Sequence, residues 1–197
     1  TSTNSSIGLI YALKKIFLIL INMKIQFVKK KSKSELITFF KSFKDTKIEH
    51  LIEESKVRNL SLNEKMFKQK NPYKPQLNDL YRLYQLITQN KRLCVLEFGC
   101  GWSSLIINKA ILKNKKNLES KTSKIRQFNK FKHFSVDNDK KFINITKNRI
   151  PRNNISSFFY SECKVTNVNN NFAFKFEKLP NICPDFISID GPDLFKV

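Results

Sequence analysis

The chain has 197 residues, 41% of them hydrophobic and 12% aromatic, which suits one domain with an extension and excludes two full domains or a wholly disordered chain. Four cysteines exclude a disulfide-dense scaffold, and no apolar run reaches the roughly 18 residues that would mark a membrane span. Lys and Arg total 37 against 16 acidic residues, a net charge of +21, which suits a polyanion such as nucleic acid. The same excess of Lys, Asn, Ile and Phe is also what an AT-rich coding sequence writes at tolerant positions.

In chain order, Thr1 stands where an initiator would, and Met23 is a candidate start. Leu9, Ile10, Leu13, Ile16, Phe17 and Leu20 fall at helical spacing, but Lys14 and Lys15 interrupt the run. Residues 24–70 are Lys-rich, and Leu36, Phe39, Phe40 and Phe43 predict a helix starting at Ser34 and Glu35. Asn71-Pro72-Tyr73-Lys74-Pro75 breaks the pattern. Leu77, Leu80, Tyr81, Tyr84 and Ile87 give a helix ending near Asn90.

From there strands and helices alternate, the pattern of a parallel α/β sheet. Leu93 to Phe98 reads as a strand, and Ser103 or Ser104 caps a helix through Leu112. Residues 113–132 are polar and basic without a period, so a long loop or exposed helix is expected. Phe134 to Val136 is a second strand, and Asp139 caps a helix that Pro151 ends. Phe158 to Tyr160 is a third strand. Phe172, Phe174 and Phe176 alternate behind an Asn-rich turn, predicting a hairpin in place of the next helix. Phe186 to Ile189 is a further buried strand that ends at Asp190. The expected organisation is a helical, Lys-rich extension over 1–74 and an α/β domain over 75–197. A sheet of this kind is expected to continue past Val197.

Three of the four glycines sit in two tight motifs. The first, Val95-Leu96-Glu97-Phe98-Gly99-Cys100-Gly101-Trp102-Ser103-Ser104, takes a strand through Gly-x-Gly into a hydroxyl-rich helix start. Such a turn lets the backbone approach a ligand and offers helix N–H groups. Glu97 would repel a pyrophosphate and favours a ligand with a positive group or sugar hydroxyls. Glu97-Phe98-Gly99-Cys100-Gly101 resembles motif I of the class I S-adenosylmethionine-dependent methyltransferases.

The resemblance covers about residues 75–197 and implies a Rossmann-like, mostly parallel sheet with flanking helices, preceded here by the helical segment. It implies that Glu97, Gly99, Cys100, Gly101 and Ser103 cradle the amino-acid part of S-adenosylmethionine. It assigns the ribose hydroxyls to Asp137, at the end of the second strand in His133-Phe134-Ser135-Val136-Asp137. The step from Gly101 to Asp137 is 36 residues, longer than the usual spacing of about 20, and the basic stretch before the second strand accounts for the excess. Glu162, just past the third strand, is the candidate for adenine contact. His133 is expected at a strand edge, without a catalytic role.

The second glycine motif, Ile189-Asp190-Gly191-Pro192-Asp193, delivers Asp190 to the carboxyl edge of the sheet, where open α/β sheets bind ligands. The resemblance makes Asp190 the candidate catalytic residue, orienting the methyl acceptor. Asp190 and Asp193 offer oxygen ligands for a divalent ion, but paired acids in a turn more often cap backbone groups, so no metal is assigned. The cysteines lack Cys-x-x-Cys spacing, and no zinc site is expected. The resemblance implies a cytoplasmic methyltransferase acting on O or N of a small molecule or sugar. A nucleic-acid methyltransferase and an inactive, methyltransferase-like interaction module are the alternatives. The acceptor and the oligomeric state are left open.

Overall fold

The computed structural model describes residues 28–56 and 74–192. The apolar run at 9–20, Met23, most of the proline break and Asp193 lie outside the described residues.

Two short helices, α1 (Lys33–Lys41) and α2 (Thr46–Lys56), precede α3 (Leu77–Gln89). The cap of α1 is Ser32 and not Ser34. Its side chain accepts from the Glu35 N–H while Glu35 bonds back to the Ser32 N–H, a reciprocal capping box. Leu36 and Phe40 of α1, Ile48, Leu51 and Ile52 of α2, Leu77, Leu80 and Tyr81 of α3, and Trp102, Leu105 and Ile106 share one buried cluster. The helical lead-in is thereby packed on the element that follows the glycine turn.

The α/β part runs β1 (Cys94–Phe98), α4 (Trp102–Leu118), β2 (Lys132–Asp137), α5 (Lys140–Arg149), β3 (Ser156–Tyr160), β4 (Cys163–Val168), β5 (Asn171–Phe176) and β6 (Phe186–Ile189). Four strands form a parallel sheet in the order β3-β2-β1-β6, and β4 and β5 form a separate antiparallel hairpin. This is an α/β fold with a parallel sheet flanked by helices, compatible with a Rossmann-like arrangement. The order changes direction between β1 and β6, which opens a crevice at their carboxyl ends.

Strand alternation sorts the two faces of the sheet. Val95 meets Ile107, Ala110 and Ile111 of α4 in a second buried cluster, so Glu97, two residues on, faces the same way. The other face carries Phe98, met by Phe176 of the hairpin at 5.2 Å between ring centres, and the exposed Ile187 and Ile189.

Two elements differ from the sequence expectation: β6, expected to be buried, leaves Ile187 and Ile189 exposed because no described element covers that face of the strand, and α4 differs at both ends. The fourth helix does not stop at Leu112 but continues to Leu118, followed by a 3-10 turn over Glu119–Lys121. Its buried Asn114 explains the extension, because the side-chain amide donates to the Ile87 and Arg92 carbonyls and ties the end of α3 to the entry of β1. Neither Ser103 nor Ser104 is the cap of α4. That position is Gly101, and Ser104 lies in the first turn, where its hydroxyl accepts from the Gly101 N–H at 3.2 Å.

Candidate active site

The two glycine motifs are pressed together. Gly99 has φ +86°, and a Cβ there would lie 2.8 Å from the Asp190 carbonyl carbon and oxygen. A Cβ on Gly191 would lie 2.8 Å from the Gly99 Cα. Backbone bonds hold this crossing, with Gly99 N–H donating to the Val136 carbonyl and Asp190 N–H to the Phe98 carbonyl, both at 2.8 Å. Only glycine satisfies both the positive φ and the contact. Gly101 differs, since a Cβ there would meet no atom within 4 Å. The protein itself does not need glycine at 101, and the space above it is open.

Glu97 is fully buried. Its Oε2 accepts from the Ser104 hydroxyl at 2.5 Å and lies 3.1 Å from His133 Nε2. Its Oε1 has no hydrogen-bond partner among the described residues. His133 is not at an exposed strand edge. It is fully buried, because β2 lies inside the sheet and the register pairs His133 with Val95 on the α4 face.

Asp137 is nearly buried and works as a backbone bracket. Its Oδ2 accepts from the Cys100 N–H and its Oδ1 from the Asp139 N–H, each at 2.7 Å. The Cys100 thiol hydrogen-bonds the same carboxylate. Burial pushes the Asp137 carboxyl above the ordinary value, against the Asp139 N–H, the Cys100 thiol and the Cys100 N–H, which pull it down. Asp139 caps α5 through the Lys141 N–H. Burial, with Asp137 next, pushes the Cys100 thiol well up, which opposes a thiolate role.

Asp190 stands at the mouth of the crevice and is solvent-exposed. The surrounding protein, and then Glu97 and Asp79, push its carboxyl above the ordinary value. The open side of the residue screens this effect and keeps it modest. Ser103 is buried in the first turn of α4. Glu162 is exposed and sits between β3 and β4, one residue after Ser161, whose N–H bonds the Asp137 carbonyl. The structure thus brings Glu97, Gly99, Cys100, Gly101, Asp137 and Asp190 around one crevice, with Glu162 at its rim. Among the described residues no group of three or more His, Cys, Asp or Glu is placed to hold a metal ion.

Trp102 stands out in the sequence as a pocket wall or a packing residue, but its contacts with Glu54 and Arg149 were missed. Trp102 is buried and its Nε1 donates to Glu54 of α2 at 2.7 Å. The Arg149 guanidinium lies 4.0 Å from the centre of the Trp102 ring and 3.5 Å from Glu54. His133 and Ser104 were missed as partners of Glu97. The available signal was a polar residue at alternating positions of an otherwise apolar strand. No protein-family model matches this chain, and neither a curated protein nor a solved structure matches it.

Proposed function

We propose that this protein is an S-adenosylmethionine-dependent methyltransferase acting on O or N of a small molecule or sugar. The observation that carries the reading is the crevice between β1 and β6. There a fully buried carboxylate, one of whose oxygens has no partner among the described residues, underlies a glycine turn whose Gly101 opens onto free space. A buried lone acceptor calls for a donor, and the neighbouring Asp190 makes a cationic donor the favoured one. An amino-acid ammonium meets that requirement and a sulfonium adds positive charge without a donor proton, so the residues present fit S-adenosylmethionine.

Glu97 and the first turn of α4 would hold its amino-acid end. Asp137 would accept a ribose hydroxyl at its remaining lone pair, and a second one by displacing the Cys100 thiol, and Glu162 would reach the base. When bound, the cofactor supplies an electrophilic methyl group. Asp190 orients the acceptor at the mouth of the crevice. The protein's contribution is positioning and exclusion of water.

Calorimetric titration with S-adenosylmethionine tests the reading. Wild type is expected to bind with micromolar affinity. Gly101→Val is expected to fold with an unchanged melting temperature and to lose binding, because the new side chain occupies the open space. Absence of binding by folded wild type would overturn the assignment. The net charge of +21 favours a nucleic-acid acceptor as a second reading. That reading requires affinity for oligonucleotides that falls steeply with salt.

A further inference from the structure

Glu97 is the end of a buried hydrogen-bond chain that starts far from the crevice. The side-chain amides of Asn108 and Asn153 pair reciprocally at 3.1 and 2.9 Å. Asn108 Nδ2 also donates to Ser156 Oγ at 2.8 Å. Ser156 Oγ is 2.9 Å from His133 Nδ1, and His133 Nε2 is 3.1 Å from Glu97 Oε2. Ser104 donates to the same Oε2 and accepts from Gly101 N–H. Asn108, His133, Glu97 and Ser104 are all fully buried.

Counting protons gives the chain a direction. Ser156 receives the Asn108 donor, so its own proton is available to His133 Nδ1. An ionised Glu97 has only lone pairs, so the nitrogen facing it must carry a proton. The second demand places a proton on Nε2; a neutral imidazole then keeps its lone pair on Nδ1, where the Ser156 hydroxyl can donate. With Ser104 and His133 both on Oε2, the carboxylate cannot rotate freely, and Oε1 is the oxygen left over.

We infer that His133 is a positioning residue of the cofactor site: protonated at Nε2 and anchored through Ser156 and Asn108, it fixes Glu97 so that Oε1 is presented to the bound ligand's cationic donor. This inference rests on the cofactor reading above. His133 itself touches neither ligand nor reacting atoms.

Two measurements test it. Long-range proton–nitrogen NMR of the ligand-free wild type reads the imidazole directly. A protonated Nε2 with an unprotonated Nδ1 is expected, and a proton on Nδ1 would overturn the inference. The second measurement is affinity for S-adenosylmethionine in two folded variants. His133→Leu removes the donor and is expected to weaken binding about tenfold or more. His133→Gln keeps an N–H toward Glu97 and is expected to recover most of that loss. Equal affinity of His133→Leu and wild type, or failure of the Gln variant to rescue, would count against a positioning role. If wild type binds no S-adenosylmethionine, the cofactor assignment fails, while the NMR signature still decides whether the relay exists.

Discussion

Asp190 and Asp137 carry the acid–base consequences of the crevice. Both carboxyls are pushed above the ordinary Asp value, Asp137 first by its burial and Asp190 first by the protein that partly encloses it. For Asp190 the charges of Glu97 and Asp79 add to it. A raised carboxyl binds its proton more tightly in the folded state than in the unfolded one. Its contribution therefore favours folding as pH falls through the raised value and is lost as pH rises. Binding of a cation has the opposite requirement, since it needs the ionised form. Affinity for S-adenosylmethionine is expected to fall on acidification at a pH above the ordinary Asp range. Asp190→Asn is expected to lower neutral-pH affinity and flatten that acid limb without lowering the melting temperature. Parallel calorimetry and melting curves from neutral pH downward check this. Loss of stability at neutral pH in Asp190→Asn would contradict it. The acids themselves were legible in the sequence, because each ends a strand. The influence of Glu97 on Asp190 was not, since it depends on how closely two chain-distant turns approach.

Strand junctions set how β6 lies on β1. Asp185, just before β6, accepts from the Leu93 and Cys94 N–H groups at 2.8 and 2.9 Å. Its own N–H donates to the Cys94 carbonyl at 2.9 Å. One carboxylate thus aligns the entry of β6 with the entry of β1, and so sets the register that puts Asp190 beside Gly99. Asp185→Ala removes two charge-assisted bonds and is expected to cost about 3 kcal/mol, measured by urea unfolding. A change below about 0.5 kcal/mol would mean the strand ends are held elsewhere. The hairpin was readable from the Phe alternation and its Asn-rich turn, where Asn169 and Asn170 take positive φ. The full length of α4 was not readable. Its last turns are polar outside and are held by Asn114 reaching another element, which periodicity cannot register.

Across the whole molecule, the helical lead-in and the glycine turn are joined through one carboxylate. Glu54 of α2 receives the Trp102 indole N–H and pairs with Arg149 and His50. Trp102 immediately follows Gly101 and is the sole tryptophan, so its fluorescence reports this junction. Glu54→Ala is expected to shift Trp102 emission to longer wavelength and to cost about 1–2 kcal/mol. Emission identical to wild type would show that the apolar cluster alone holds the helices. No helix among the described residues is long and apolar enough to cross a membrane.

Strand and helix order, the Gly-x-Gly turn and the acids at strand ends could be read from the chain because they are local. A glycine, a capping acid or an alternating apolar run states its requirement within a few residues. Packing had to supply the rest. The pairing of His133 with Glu97 arises because parallel register sets β2 beside β1, bringing together residues 36 positions apart. The need for glycine at 99 arises from contact with Asp190, and the freedom at 101 from the lack of any neighbour. Such constraints reside in distances between segments, and sequence spacing does not encode those distances.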